Sequence, residues 1–139
     1  MLMKHHLIPV ISLSVLGVFL AGCADNPEQR AKDKGIEIWF EETLHDYGEI
    51  PERSDGSWSF AFKNIGQKAI VINRVRSTCG CTVPAWPREP LEPGATGEIT
   101  VKYNTAATGT FLKSLYVYST AANSPVKLQI KGKVVSKEA

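Results

Sequence analysis

The sequence predicts an all-β domain, a two-sheet β-sandwich of about seven strands behind a cleaved N-terminal signal segment. Three observations carry this reading. Apolar and polar residues alternate with period two through most of residues 36–135. Turn-forming clusters separate the alternating runs. The first residues have the layout of an export signal rather than of a domain.

The signal comes first in the chain. Lys4, His5 and His6 make a short positive start, and Leu7 to Leu20 supply an apolar stretch too short for a comfortable membrane span. Leu20-Ala21-Gly22-Cys23 follows at once. Small residues before a cut site are the usual signal ending, and a cysteine directly after them resembles the bacterial lipobox. That resemblance implies cleavage after residue 22 and fatty acylation of Cys23, with groups such as palmitate. The expected divisions are a signal peptide over 1–22, a lipidated Cys and flexible tether over 23–35, and a sandwich domain over 36–139. Residues 24–35 are polar and without apolar periodicity, so they read as a tether able to reach about 40 Å when extended, the alternative being a short helix through Pro27 to Lys32 that would be marginal in isolation.

Ile36, Ile38 and Phe40 open the alternation. Trp58, Phe60 and Phe62 continue it against Ser59, Ala61 and Lys63. Lys68 to Val75 reads as a more continuous apolar strand. Ile99, Val101 and Tyr103 alternate with Thr100 and Lys102. Phe111 to Tyr118 carries apolar groups on both sides, and Val126 to Val134 alternates with lysines and Gln129. Successive strand side chains face opposite ways, so each run has one dry and one wet face. Asn64-Ile65-Gly66, Glu92-Pro93-Gly94, Thr108-Gly109 and Asn123-Ser124-Pro125 supply the turns. Trp86 stands apart in Val83-Pro84-Ala85-Trp86-Pro87, where the prolines argue against regular pairing. The ring is expected to cap an open end of the sandwich rather than to stand as a surface anchor.

The order of segments is itself recognisable. His45-Asp46-Tyr47-Gly48-Glu49-Ile50, Phe60 to Gly66, Ile70-Val71-Ile72, Ser77-Thr78-Cys79-Gly80-Cys81-Thr82-Val83-Pro84, Leu91 to Gly94, Gly97 to Val101 and Leu128 to Gly132 follow one another. This series resembles the bacterial lipoprotein family known as domain of unknown function 1573. The resemblance implies an immunoglobulin-like sandwich, similar to domains of several cilia- and centrosome-associated proteins, and it implies no established activity. One departure falls after Tyr118, where Ser119-Thr120 stands in place of the family's Ser-Asn and the asparagine comes only at Asn123.

Function is bounded by composition and by three cysteines. The chain carries 16 Lys and Arg against 14 Asp and Glu, and loss of residues 1–22 removes only Lys4 from that balance. Near neutrality gives no nucleic-acid footprint and no polybasic membrane patch, so the lipid is expected to do the membrane work. With Cys23 acylated, Cys79 and Cys81 remain as a pair in an oxidising compartment. Residues two apart can be bridged, and Gly80 between them permits unusual dihedrals. Three roles stay open for this pair. It shapes a loop, it exchanges with partner thiols, or it captures a soft metal such as copper or zinc, with His45 as the one histidine available to help. Arg74 and Arg76 are close enough in sequence to favour thiolates.

His45 and Asp46 are neighbours on a strand pattern, which opposes their side chains and argues against a Ser-His-Asp arrangement. The expected protein is a non-enzymatic module of the cell envelope, facing periplasm or cell surface. It is expected to need no cofactor and to meet an envelope or protein partner. Its candidate site comprises Cys79, Gly80, Cys81, Thr82 and Trp86.

Overall fold

The computed structural model describes residues 26–138. Cys23 and the signal segment lie outside the described residues. One short helix precedes eight strands: α1 (Pro27–Asp33), β1 (Ile38–Phe40), β2 (Leu44–Pro51), β3 (Ser57–Asn64), β4 (Ile72–Ser77), β5 (Thr82–Ala85), β6 (Thr96–Tyr103), β7 (Gly109–Ser119) and β8 (Val126–Val135). They form two four-stranded sheets, ordered β1-β3-β6-β5 and β2-β8-β7-β4. Every pairing is antiparallel except β2 with β8. The architecture is an immunoglobulin-like sandwich.

The alternation seen in the sequence closes the core. Phe60, Phe62, Ile99 and Val101 face inward from one sheet, and Val75, Leu115, Val117, Leu128, Ile130 and Val134 from the other. Full burial of each such side chain contributes about 1.5–3 kcal/mol. All buried hydrophobic residues among those described fall between Ala31 and Val134, so the domain contains its own core.

Two strands are more than the alternation announces. In β2 the register shifts between Asp46 and Glu49, and Gly48 sits at a φ of 63°. Such a bulge breaks period two, which hides the strand in the sequence. In β5, Pro84 aligns with Val101 of β6. The prolines do not prevent pairing here, because β5 is an edge strand and a missing N–H on the outer side costs no ladder bond. The continuous strand expected from Lys68 also begins later, at Ile72. Ile70 instead bridges Leu91 through paired bonds of 2.9 and 2.7 Å.

The expected tether is largely a docked helix. Asn26 caps α1 by accepting from the Glu28 amide at 3.0 Å, and Pro27 occupies the first turn. A helix this short is marginal alone. It is held because Ala31 is buried and Glu28 pairs with Lys63 at the end of β3, 3.1 Å away. Only residues 24–26 separate Cys23 from the helix, which limits their span to about 14 Å rather than 40.

The sandwich has two poles. At one, α1 and the start of β1 meet the turns after β3 and β7. Asn123 Oδ1 accepts from the amides of Glu37 and Ile38, and its amide donates to the Ile38 carbonyl at 3.0 Å. At the other pole lie the β4–β5 connection and the ends of β2 and β6. Tyr47 donates to the Gly56 carbonyl at 2.8 Å, which joins the two sheets there. Among the described residues no helix is long and apolar enough to cross a membrane.

Candidate functional site

The site grows out of the way the chain changes sheets. β4 is an edge of one sheet and β5 an edge of the other, on the same side of the sandwich. The β4–β7 ladder continues one residue past Ser77, with the Thr78 amide donating to the Ser114 carbonyl at 3.0 Å and the Ser114 amide to Thr78 Oγ1 at 3.3 Å. The chain must then turn within a few residues. Cys79 and Cys81 are joined by a disulfide across that turn, with Cα atoms 5.3 Å apart. The Asn104 amide donates to the Cys81 carbonyl at 2.8 Å and ties the corner to the loop after β6. Thr82 is buried beneath it, its hydroxyl 3.7 Å from Cys79 Sγ.

The disulfide closes so short a loop that chain entropy gives it about 1.5 kcal/mol, half of what a 15-residue loop gives. Its main effect is on local shape. Gly80 is exposed at the tip, and both cysteines are half-buried. Beside the corner runs an open cavity of about 470 Å³, lined among others by Arg53, Cys81, Val83, Lys102 and Tyr103. Val83 is 65% exposed, a large fraction for a β-branched side chain. Arg53 is held at a φ of 60°, with its amide donating to Thr105 at 3.0 Å. The Asp55 carboxylate accepts from the Ser57 hydroxyl and, at 3.0 Å, from the Ser57 amide, and those bonds hold it below the usual range. The corner therefore offers an apolar edge, a disulfide and two cations.

The other sequence-selected residues are elsewhere. Trp86 follows β5 and packs against the core, with the Arg88 guanidinium 4.1 Å above its ring. β5 separates it from the disulfide by roughly 13 Å of extended chain. His45 lies on β2, at the opposite edge of its sheet from β4, about 14 Å across three strand spacings. Its ring stacks on Trp58 at 3.5 Å and meets the edge of Tyr47 at 4.6 Å. Asp46 points outward to Lys131 at 3.3 Å. The Gly48 amide and that lysine hold its carboxyl below the ordinary range. His45 and Asp46 thus face opposite ways.

A metal site from Cys79, Cys81 and His45 is not assembled in this arrangement. The sulfurs are bonded to each other, and no group of three or more His, Cys, Asp and Glu able to hold a metal comes together among the described residues. Arg74 does not turn to the cysteines, since its guanidinium lies 4.4 Å over the Tyr118 ring. Arg53, Val83 and Lys102 are the residues that sequence reasoning missed. Their only signal in the sequence is an apolar Val83 between Thr82 and Pro84.

Solved structures share the fold at low identity. A protein of unknown function from Porphyromonas gingivalis W83 superimposes with a TM-score of 0.63 at 10% identity, over 71% of this chain and 47% of that one. The ASH / PapD-like domain 7 of human CEP192 gives 0.63 at 9% identity, over 99% of both chains. The VesB protease of Vibrio cholerae gives 0.58 at 11% identity, over 77% of this chain and 34% of its own. The chain thus spans about half of the Porphyromonas protein and a third of the protease, and the likeness is one of fold. No curated protein matches the sequence. The family model described as "Protein of unknown function (DUF1573)" matches residues 38–134, from the first strand to the last, and the chain belongs to that family.

Proposed function

We propose that this protein is an extracytoplasmic lipoprotein, held to a membrane by acyl groups on Cys23, whose sandwich acts as a non-catalytic binding module. The disulfide corner and its cavity are the surface offered to an envelope or protein partner. One observation carries this reading: the N-terminal segment and the Cys79–Cys81 corner lie at opposite poles of the sandwich. Strands of this length put the corner roughly 25 Å beyond the anchored end. A disulfide persists in oxidising compartments, in keeping with the export signal.

Labelling with a fatty-acid analogue tests the anchor. The wild-type chain is expected to take up label and to fractionate with membranes, and Cys23→Ala to do neither. Equal labelling of both would contradict the proposal.

A second reading is thiol exchange, favoured by the exposed Gly80 between two half-buried cysteines. A partner thiolate would attack one sulfur, release the other as a thiolate and leave a mixed disulfide. A second thiolate of the partner then displaces the bound cysteine, leaving the partner with a disulfide and Cys79 and Cys81 reduced. Cys81→Ser separates the readings. Exchange traps a reductant-sensitive adduct through Cys79, whereas a binding module forms no covalent adduct.

A further inference from the structure

The outer face of the β2-β8-β7-β4 sheet is not uniform. Toward the end where β2 and β8 finish, its lysines are neutralised, Lys131 by Asp46 at 3.3 Å and Lys133 by Glu49 at 3.6 Å. Toward the N-terminal pole the pattern changes. Arg76, Tyr116 and Lys127 stand side by side in one cross-strand row, and Arg74 lies beside Tyr118 in the next. Arg74, Arg76 and Lys127 are exposed, and none of them makes an ion pair among the described residues. No acidic side chain stands in either row. Near-neutral composition thus conceals a basic face studded with two half-buried tyrosines.

The position of this face gives it a partner. Its strands begin or end at the loop Thr120–Ser124. That loop is bonded to the N-terminal segment, with the Ala122 amide donating to Glu37 Oε2 at 2.8 Å and the Glu37 and Ile38 amides to Asn123. Thr120 also holds the segment before β4, through bonds of 3.0 Å in both directions with Val71. The chain that leads back to Cys23 therefore leaves from the pole that carries Arg74, Tyr118 and Lys127. At most about 14 Å of backbone joins that pole to the acylated residue.

We propose that Arg74, Arg76 and Lys127, with Tyr116 and Tyr118 between them, seat the domain on the anionic phospholipid headgroups of the membrane that holds Cys23. Guanidinium and ammonium groups pair with phosphates, and tyrosine rings suit the boundary between headgroups and water. The seat lays the β2-β8-β7-β4 sheet against the bilayer and turns the β1-β3-β6-β5 sheet away from it. This rests on the anchored reading above.

The test uses the chain from residue 24, which retains the whole core and carries no lipid. It is expected to bind vesicles of equimolar phosphatidylcholine and phosphatidylglycerol, to ignore phosphatidylcholine alone, and to be released by salt. Each basic side chain near an anionic surface contributes about fivefold. Arg74→Thr/Arg76→Thr/Lys127→Thr should therefore weaken binding about a hundredfold. Arg53→Thr/Lys102→Thr, which removes two charges from the opposite pole, should leave it within about twofold by the same rule. Arg74→Lys/Arg76→Lys preserves charge and should retain binding, whether or not the threonine variant folds. Equal binding to both vesicle types, equal loss in the opposite-pole variant, or unweakened binding by a folded threonine variant overturns the proposal. Failure here leaves acylation of Cys23 untouched, and failure of acylation leaves this measurement standing.

Discussion

At the scale of single residues, buried polar groups decide more than the disulfide does. Asn64 is fully buried at the end of β3. Its amide donates to the carbonyls of Lys68 at 2.7 Å and Leu91 at 2.8 Å, and its oxygen accepts from Gly66 at 3.0 Å. The sequence shows Asn64-Ile65-Gly66 only as a turn. It gives no hint that the asparagine also gathers the two segments that bridge at Ile70 and Leu91. Asn64→Ala strands those groups in the interior and should cost about 2–4 kcal/mol in urea unfolding. Asn64→Asp should fare no better, because a carboxylate cannot donate to either carbonyl.

Tyr47 sets a pH dependence at the same scale. Burial, with the Asp55 carboxylate adding to it, pushes its phenol up to about 12 from an ordinary 10. On raising the pH the unfolded chain loses this proton first. The stability contributed by Tyr47 is therefore complete below pH 10 and is lost as the pH rises toward 12. Denaturation midpoints of the wild type should fall across that window, and those of Tyr47→Phe should fall less. At neutral pH the variant should lose about 1 kcal/mol, the value of one hydrogen bond.

At the scale of elements, legibility followed regularity. β3, β6 and β8 alternate cleanly, β7 is apolar on both sides, and each appears in the sequence close to its final bounds. β2 and β5 do not, because a bulge at Gly48 resets the one and Pro84 marks the other. Each is tolerated for a reason that depends on neighbours, since both are edge strands. α1 reads in the sequence only as the alternative to a tether, for a similar reason. Its seven residues have no apolar stripe, only Ala31, and it forms against the rest of the molecule. Asn123 is the element's keeper. It reaches the β1 backbone from the turn after β7, 85 residues away in sequence. Asn123→Ala should release the N-terminal segment, so that trypsin cuts after Arg30, Lys32 or Lys34 well before the core is touched. The global unfolding midpoint should move by only about 1–2 kcal/mol. Unchanged cleavage at these sites would show that the segment is held in another way.

At the scale of the whole molecule, the sequence supplied the parts of the candidate site but not their arrangement. Cys79, Gly80, Cys81 and Thr82 are contiguous, so their meeting at one corner was readable. The distance of His45 and Trp86 from that corner was not, because it follows from the sheet order. The same holds for the basic face, whose members come from three strands spread between Arg74 and Lys127 and are diluted in a near-neutral total. The two poles join the pieces into one account. The end near Cys23 carries the docked helix and Arg74, Tyr118 and Lys127 of the basic face, and the far end carries the disulfide and its cavity.

The intact mass of the protein purified from its native envelope, with and without reduction before thiol alkylation, tests this account most directly. The predicted species begins at Cys23, carries acyl groups on it, and takes alkylation at Cys79 and Cys81 only after reduction. A chain that retains residues 1–22 or bears no acyl group, or one alkylated at both cysteines without reduction, would contradict it.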